Sequence, residues 1–334
     1  MDTGIYYDGS LLKSKNALFK MCVGARGIGK TYYFKTDCVK KAIESKGKST
    51  FIYLRRFKSE VNKRDMEKFL PQIADNFPDH DLRYSGGKFY CDKYVIGEPI
   101  ALSVALTKKS VDFSTVKWII FDEFLLDKGA YHYLQDEVTL FLDFYETVSR
   151  TRDVVCYMLS NAITASNPYF LFFGVKIMPG KRFLKTNTKE CVVELPEAND
   201  FKDYKLQTRF GKMISNTEYG AYAIDNNFRL DDDTFIEPRA PTSKYYFTMK
   251  CYGRVYGVWI GWEEGLYYVS KTYDPNYGVI YSFTLDDMTP NTVLINAVKK
   301  STYVRNFKFG FQSGNVRFDN AQIKKDCFDI LKFL

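Results

Sequence analysis

Up to about residue 165 the chain alternates short, almost wholly apolar runs with longer stretches whose apolar residues recur at a helical period. Residues 17–23 (ALFKMCV) read as a buried strand, followed by a glycine-rich turn. A helix is expected from about Thr31 to Lys46, with Gly47 placed to stop it. TFIYLRR (50–56) is expected to be a second strand, and the charged helical stretch after it is broken by Pro71. VKWIIFDEF (116–124) is apolar almost throughout, as a strand covered on both faces of a parallel sheet must be. A helix over about 136–149 then leads into VVCYMLSNA (154–162), a further strand. This alternation predicts an α/β domain, doubly wound around a mainly parallel sheet.

After about residue 200 the pattern changes. TEYGAYAIDNNFRLDDDTFIEP is rich in turn residues, and KYYFTMKCY, RVYGVWIGW, LYYVSKTY and VIYSFTL then alternate as antiparallel strands do. The C-terminal stretch returns to a mixed pattern, with a helix expected from about Asn320. The boundaries drawn from these shifts are an α/β domain over 1–200, a linker over 201–228 and a β-rich α+β domain over 229–334.

Composition narrows the classes. With 334 residues, 46% hydrophobic and 26% charged, the chain has enough apolar material for a core in each part. A formal charge of +8 leans towards a polyanionic partner without identifying one. The seven cysteines are scattered with no CxxC pair, which excludes a zinc knuckle or a disulfide framework and suggests core residues in a reducing compartment. With only His80 and His132, a histidine-rich metal site is excluded as well. MDTGIYYDGS has neither a basic start nor an apolar segment, and no apolar run reaches about 18 residues. A cytoplasmic protein without a membrane span is therefore expected.

The residues from Gly24 to Thr31 (GARGIGKT) fit GxxxxGK[ST] in full, after a strand and opening a helix. Glycines such as Gly24, Gly27 and Gly29 let the backbone curl until successive N–H groups face a phosphate, and the helix N-terminus adds positive partial charge. Together with Arg26, Lys30 and Thr31 they form the expected nucleotide-binding set. Lys30 is expected to reach the β and γ phosphates, and the Thr31 hydroxyl to ligate Mg²⁺. Asp122 ends an apolar strand at the sheet edge where open α/β sheets bind ligands, and it is the second candidate for holding the metal. Glu123 follows it as the candidate base that polarises a water for attack on the γ-phosphate. ATP and Mg²⁺ are thus the implied substrate and cofactor.

Other residues keep two readings. Asn161 ends the strand LSN, where its amide either senses the γ-phosphate or starts a turn. Arg150 and Arg152 close a helix and suit its dipole, yet Arg150 is also a candidate arginine finger acting on a neighbouring subunit, with Lys109 as the alternative. The basic patch Arg55, Arg56, Lys58, Lys63 and Arg64 either covers a solvated helix face or grips a phosphate backbone. Asp231-Asp232-Asp233 reads as a solvated turn. The aromatics of NFKFGFQSGNVRF read as strand core, or as platforms for nucleic-acid bases.

GARGIGKT, FIYLRRFK, IIFDEF, LSNA, NPYFLFF, TRFG, TEYG and VRFDN occur in this order. Over essentially its whole length the chain resembles the DNA-packaging ATPases of phi29-like phages. The resemblance implies a P-loop ASCE-type ATPase domain, a small linker domain and a C-terminal domain resembling an RNase H-like terminase nuclease. It also implies a homopentameric ring on the portal of an empty capsid in the host cytoplasm, moving double-stranded DNA at the expense of ATP. A structural packaging RNA is a further implied partner. Carried over by position, Lys30 and Thr31 fall in the nucleotide loop, Asp122 and Glu123 at the metal and catalytic acids, and Asn161 at the sensor. Arg150 falls at the trans-acting arginine and Lys58 at a DNA-gripping lysine. No convincing nuclease set is visible among Asp225, Asp274, Asp286, Asp287 and Asp319, so loss of nuclease chemistry is expected. Other jobs for the same chemistry are a helicase or partitioning ATPase. A small-molecule kinase and a non-enzymatic assembly subunit are the remaining alternatives.

Overall fold

All six residues of Phe19–Gly24 (β1) are buried, including Lys20, whose ammonium donates to the Lys13 carbonyl at 2.6 Å. A central strand tolerates that lysine because its charged end finds a backbone acceptor. The computed structural model describes residues 5–108, 111–126, 133–134, 136–161, 166–178, 180–196, 199–215, 217, 220, 234–295 and 301–331. The chain divides into two compact units. One comprises Met1–Leu134, Leu140–Ala165 and Val175–Leu230, and the other Gln135–Thr139, Ser166–Gly174 and Asp231–Leu334.

The first unit is built on one sheet. Its further strands are β2 (Thr50–Arg55), β3 (Leu82–Ser85), β4 (Lys88–Cys91), β5 (Tyr94–Ala101), β6 (Val116–Asp122), β7 (Val155–Asn161), β8 (Phe183–Leu184) and β9 (Cys191–Glu194). The order is β3-β4-β5-β2-β6-β7-β1-β9-β8. The run from β5 to β9 is parallel, while β3 and β4 at one edge and β8 at the other are antiparallel additions. The mixed α/β architecture with a parallel centre agrees with the alternation in the sequence. The edge meander β3-β4-β5 was passed over, although Gly86-Gly87, both at positive φ, is a hairpin turn signal. The expected charged helix after β2 is instead two short 3₁₀ turns, Lys58–Val61 and Pro71–Asn76, around a four-residue helix Lys63–Met66.

The helix Lys30–Glu44 buries Phe34, Cys38, Val39 and Ala42 against the sheet, with Phe34 stacked on Tyr157 at 4.4 Å between ring centroids. Gly47 ends it as expected: φ is +74°, its N–H donates to the Ala42 carbonyl, and a Cβ would stand 2.8 Å from the Val95 oxygen. Lys35 on this helix is only 2% exposed; its ammonium donates to the Phe69 carbonyl (2.8 Å) and Gln72 Oε1 (2.6 Å). Burial pushes its pKa down to about 8, although Asp122 opposes the shift. The unfolded chain therefore holds this proton more tightly than the fold does, so the penalty is complete below pH 8 and fades as pH rises towards the ordinary lysine value. Between pH 7.5 and 9.5, wild type is expected to gain roughly 2 kcal/mol relative to Lys35→Met. Urea midpoints of both proteins at the two pH values measure this, and a pH-independent difference refutes the shift.

The second unit holds β10 (Lys244–Cys251), β11 (Arg254–Gly261), β12 (Leu266–Ser270), β13 (Ile280–Ser282), β14 (Thr292–Leu294) and β15 (Val316–Phe318), in the order β14-β13-β10-β11-β12-β15. Only β10-β11-β12 are antiparallel; β13, expected to continue that pattern, pairs parallel with β10, as β14 does with β13 and β15 with β12. The strand reading of NFKFGF also fails. These residues lie on the helix Thr302–Gln312, where Val304, Phe307 and Phe311 recur at the helical period and face the core while Phe309 is exposed. Phe307 meets Phe247 and Tyr267 edge-on at 5.2 and 5.5 Å. The expected final helix is Ala321–Leu331. All seven cysteines are buried and unpaired, in keeping with a core role. Among the described residues no helix is long and apolar enough to cross a membrane.

Candidate active site

In a parallel sheet every strand presents its C-terminal end at the same edge, and here that edge gathers the predicted residues. Register places Gly24, the last residue of β1, level with Asn161 at the end of β7, and Asp122 of β6 level with Leu159. β7 thus stands between the strand that feeds the glycine loop and the strand that ends in the acid. The loop turns through Gly27 and Gly29, at φ +88° and +94°, values that favour glycine. Gly24 has a different reason: a Cβ there would lie 2.6 Å from the Pro196 ring and 2.9 Å from Ile28.

The loop's two side chains each reach across to a neighbouring strand end. Lys30 Nζ donates to the carbonyls of Gly24 (3.0 Å) and Ala25 (2.7 Å) and to Asn161 Oδ1 (3.2 Å). Burial pushes the Lys30 ammonium down to about 8, with Asp122 among the groups opposing it. Thr31 Oγ1 donates to Asp122 Oδ1 at 3.0 Å. Asp122 is buried, and that desolvation raises its carboxyl pKa, with Arg55 opposing. Tyr53 holds the other carboxylate oxygen through its hydroxyl at 3.0 Å. Two hard oxygens from Thr31 and Asp122, side by side at the strand ends, form a donor set that suits Mg²⁺.

Glu123 sits in the left-handed region at φ +56°, a conformation that is uncommon for residues other than glycine and clusters at functional sites. Its carboxylate accepts from Arg55 NH2 at 2.6 Å, and the same nitrogen donates to Glu60 at 2.6 Å. Arg55 also lies 3.7 Å from Asp122. Both arginines of the expected DNA-gripping set have other partners here. Arg55 is held among the acids of this site. Arg56, 2% exposed, donates to the carbonyls of Glu123 (3.1 Å) and Phe124 (2.6 Å). Lys58, Lys63 and Arg64 remain exposed.

Tyr53 is absent from the sequence reading of the site and Arg55 enters it only as a DNA contact, although period-two alternation on β2 puts the two on one face and Leu54 on the other. Arg152 donates to the carbonyls of Phe113, Ser114, Val116 and Val148, which ties the end of the helix Glu137–Ser149 to the start of β6. It is thereby removed as a mobile cation. Arg150 is exposed and adopts φ +50° just past that helix. Because β7 runs about 20 Å from Val155 to Asn161, Arg150 stands at the opposite end of the sheet from the loop. Lys109, Asp225 and Asp231-Asp232-Asp233 lie outside the described residues.

A family model described as podovirus DNA encapsidation protein (Gp16) matches residues 1–333. The chain is 36% identical to the DNA packaging protein of Bacillus phage phi29, over 99% of this chain and 98% of that one. It is similar to a chain of the bacteriophage Phi-29 viral genome packaging motor assembly, with 34% identity, 98% and 99% of the two chains covered and a TM-score of 0.58. The N-terminal domain of the DNA packaging ATPase from bacteriophage phi29 is 37% identical, covering 59% of this chain and 98% of that one, with a TM-score of 0.54.

Proposed function

The chain belongs to the podovirus DNA encapsidation protein (Gp16) family, and from that premise we propose that it is an ATP-hydrolysing motor that drives double-stranded viral DNA through a portal into an empty capsid. One observation carries the chemistry: Lys30 and Thr31 of the glycine loop meet Asn161 and Asp122 at two neighbouring strand ends, with Glu123 beside them. The placement of β7 between β1 and β6 supports an ASCE-type ATPase domain.

In this reading the loop amides and Lys30 bind the β and γ phosphates, and Asn161, sharing Lys30, registers whether the γ-phosphate is present. Thr31 and Asp122 would hold Mg²⁺, which would supply positive charge against the phosphates. Glu123 orients the attacking water and accepts its proton. Arg55 must first release that carboxylate, and Glu60 offers it a second partner. Steady-state phosphate release tests the function. The rate should rise when double-stranded DNA and portal-bearing empty capsids are added together. A rate indifferent to both overturns the motor reading, and strand separation without a portal favours a helicase.

Arg150, at the opposite end of the sheet from its own loop, fits a finger inserted into the next subunit of a head-to-tail ring. Arg150→Ala and Glu123→Gln subunits, each nearly inactive alone, should regain part of the ATPase activity when mixed. Some mixed interfaces then pair an intact Glu123 site with an intact Arg150 donor. No recovery at any ratio, with subunit exchange verified, makes Arg150 a residue of its own subunit and turns attention to Lys109. Lys58, with Lys63 and Arg64, is the DNA-facing group in this reading. The ring would be a homopentamer with a structural RNA as further partner, acting at the portal vertex in the host cytoplasm.

The second unit's run β12-β11-β10-β13-β14, antiparallel and then parallel, supports an RNase H-like origin. β10 and β13 carry no acid, and Asp287 is committed to the backbone N–H groups of Tyr252 and Gly253. We read this unit as lacking nuclease chemistry.

A further inference from the structure

Tyr7 fixes the N-terminal segment to the glycine loop. Its N–H donates to the Ile28 carbonyl at 2.9 Å, and its hydroxyl donates to the buried Glu194 at 2.6 Å. Tyr6, the preceding residue, is thereby held against the loop's outer side, yet it remains 46% exposed. Its ring lies 3.5 Å from the position a Cβ on Gly29 would take. Phe201, on the helix Asn199–Gln207, comes from the other direction, 3.4 Å from the Cβ position of Gly27. The two rings stand 5.9 Å apart at 43°. Both left-handed glycines of the loop are thus faced by an aromatic ring. Cations gather at the same place: Lys205 Nζ lies 5.9 Å from the Phe201 centroid, and Arg26 is exposed beside it. Burial first, and then the Arg26 charge, push the Lys205 ammonium down.

A large aromatic side chain kept half in water beside an anion-binding loop gains from a flat apolar partner that arrives with the anion. A nucleotide held by its phosphates continues from the loop into its sugar and base, and the wall it meets on the glycine side is this pair of rings. We propose that Tyr6 and Phe201 form the seat for the purine base of ATP, stacking on its face, with Arg26 and Lys205 beside the sugar-proximal phosphates. The proposal rests on the reading of the loop as an ATP site and adds the part that recognises the base. It also gives the N-terminal segment a role in substrate affinity: Glu194 and Ile28 hold Tyr7, and Tyr7 sets Tyr6.

The test separates base from phosphates. Dissociation constants for ATP and for inorganic tripolyphosphate, which keeps the phosphates and lacks the base, are measured with Mg²⁺ on the full-length chain and on Tyr6→Ala, Phe201→Ala and Tyr6→Phe. Each alanine variant should weaken ATP binding by about 5- to 50-fold, as loss of one stacked aromatic does elsewhere, with tripolyphosphate unchanged. Tyr6→Phe should match wild type for both ligands, because it keeps the ring. Unchanged ATP affinity in both alanine variants overturns the proposal. Equal weakening of ATP and tripolyphosphate overturns it too, because the rings then merely support the loop. If the wild-type chain binds neither ligand, the ATP reading of the loop fails, and the base seat fails with it.

Discussion

Lys30→Ala is expected to reduce steady-state phosphate release at saturating ATP by at least about 100-fold, the scale on which removal of one preorganised donor to a developing charge is felt. The ammonium sits where the loop carbonyls of Gly24 and Ala25 and the amide oxygen of Asn161 converge, and burial leaves it poorly solvated there. Nothing else among the described loop residues can bring a full positive charge from the helix start to the same point. Methionine at this position keeps the stem and removes only the charge, so Lys30→Met should be as inactive as Lys30→Ala. Asp122→Asn should also lose activity, since Thr31 keeps a hydrogen-bond acceptor there but a bound Mg²⁺ would lose an anionic ligand. Near-native melting temperatures would show that the loss is chemical. Wild-type turnover in either Lys30 variant would sink the site assignment.

Glu123→Gln is expected to bind ATP like wild type and to hydrolyse it about 10²–10⁴-fold more slowly, the usual range for a lost general base. The amide retains the size and can still accept from Arg55, so the left-handed turn at this position need not change. What it cannot do is take a proton from water. Binding measured by fluorescence or calorimetry, set beside single-turnover hydrolysis, separates the two steps. Poor ATP binding by this variant would instead make Glu123 a structural or metal-holding residue.

The contrast between these two acids shows how far local pattern reaches. Asp122 and Glu123 could be placed at the sheet edge from WIIFDEF because an apolar run long enough to be a buried parallel strand must end there, and the acids follow it directly. The partners of those acids could not. Tyr53 and Arg55 come from a strand nearly seventy residues earlier in the chain, and only the adjacency of β2 and β6 brings them to the pair. The parallel direction of β13 was hidden for a related reason: strand direction depends on the path of the connection rather than on the strand's own residues.

The sequence by itself determined the glycine loop, its lysine and threonine, the acid-bearing strand and the α/β class, because each rests on residues close together whose backbone demands are met locally. Only the tertiary structure decided what the arginines do. Arg55, Arg56, Arg150 and Arg152 are the same side chain in similarly basic surroundings. Yet Arg55 pairs with the site's acids, Arg56 is buried on carbonyl groups from a distant segment, Arg152 is half-buried on carbonyls at the start of β6 and the end of its own helix, and Arg150 is exposed. A guanidinium brings its charge and its fork of donors wherever it is placed. The carbonyls and carboxylates that claim it are supplied by the fold.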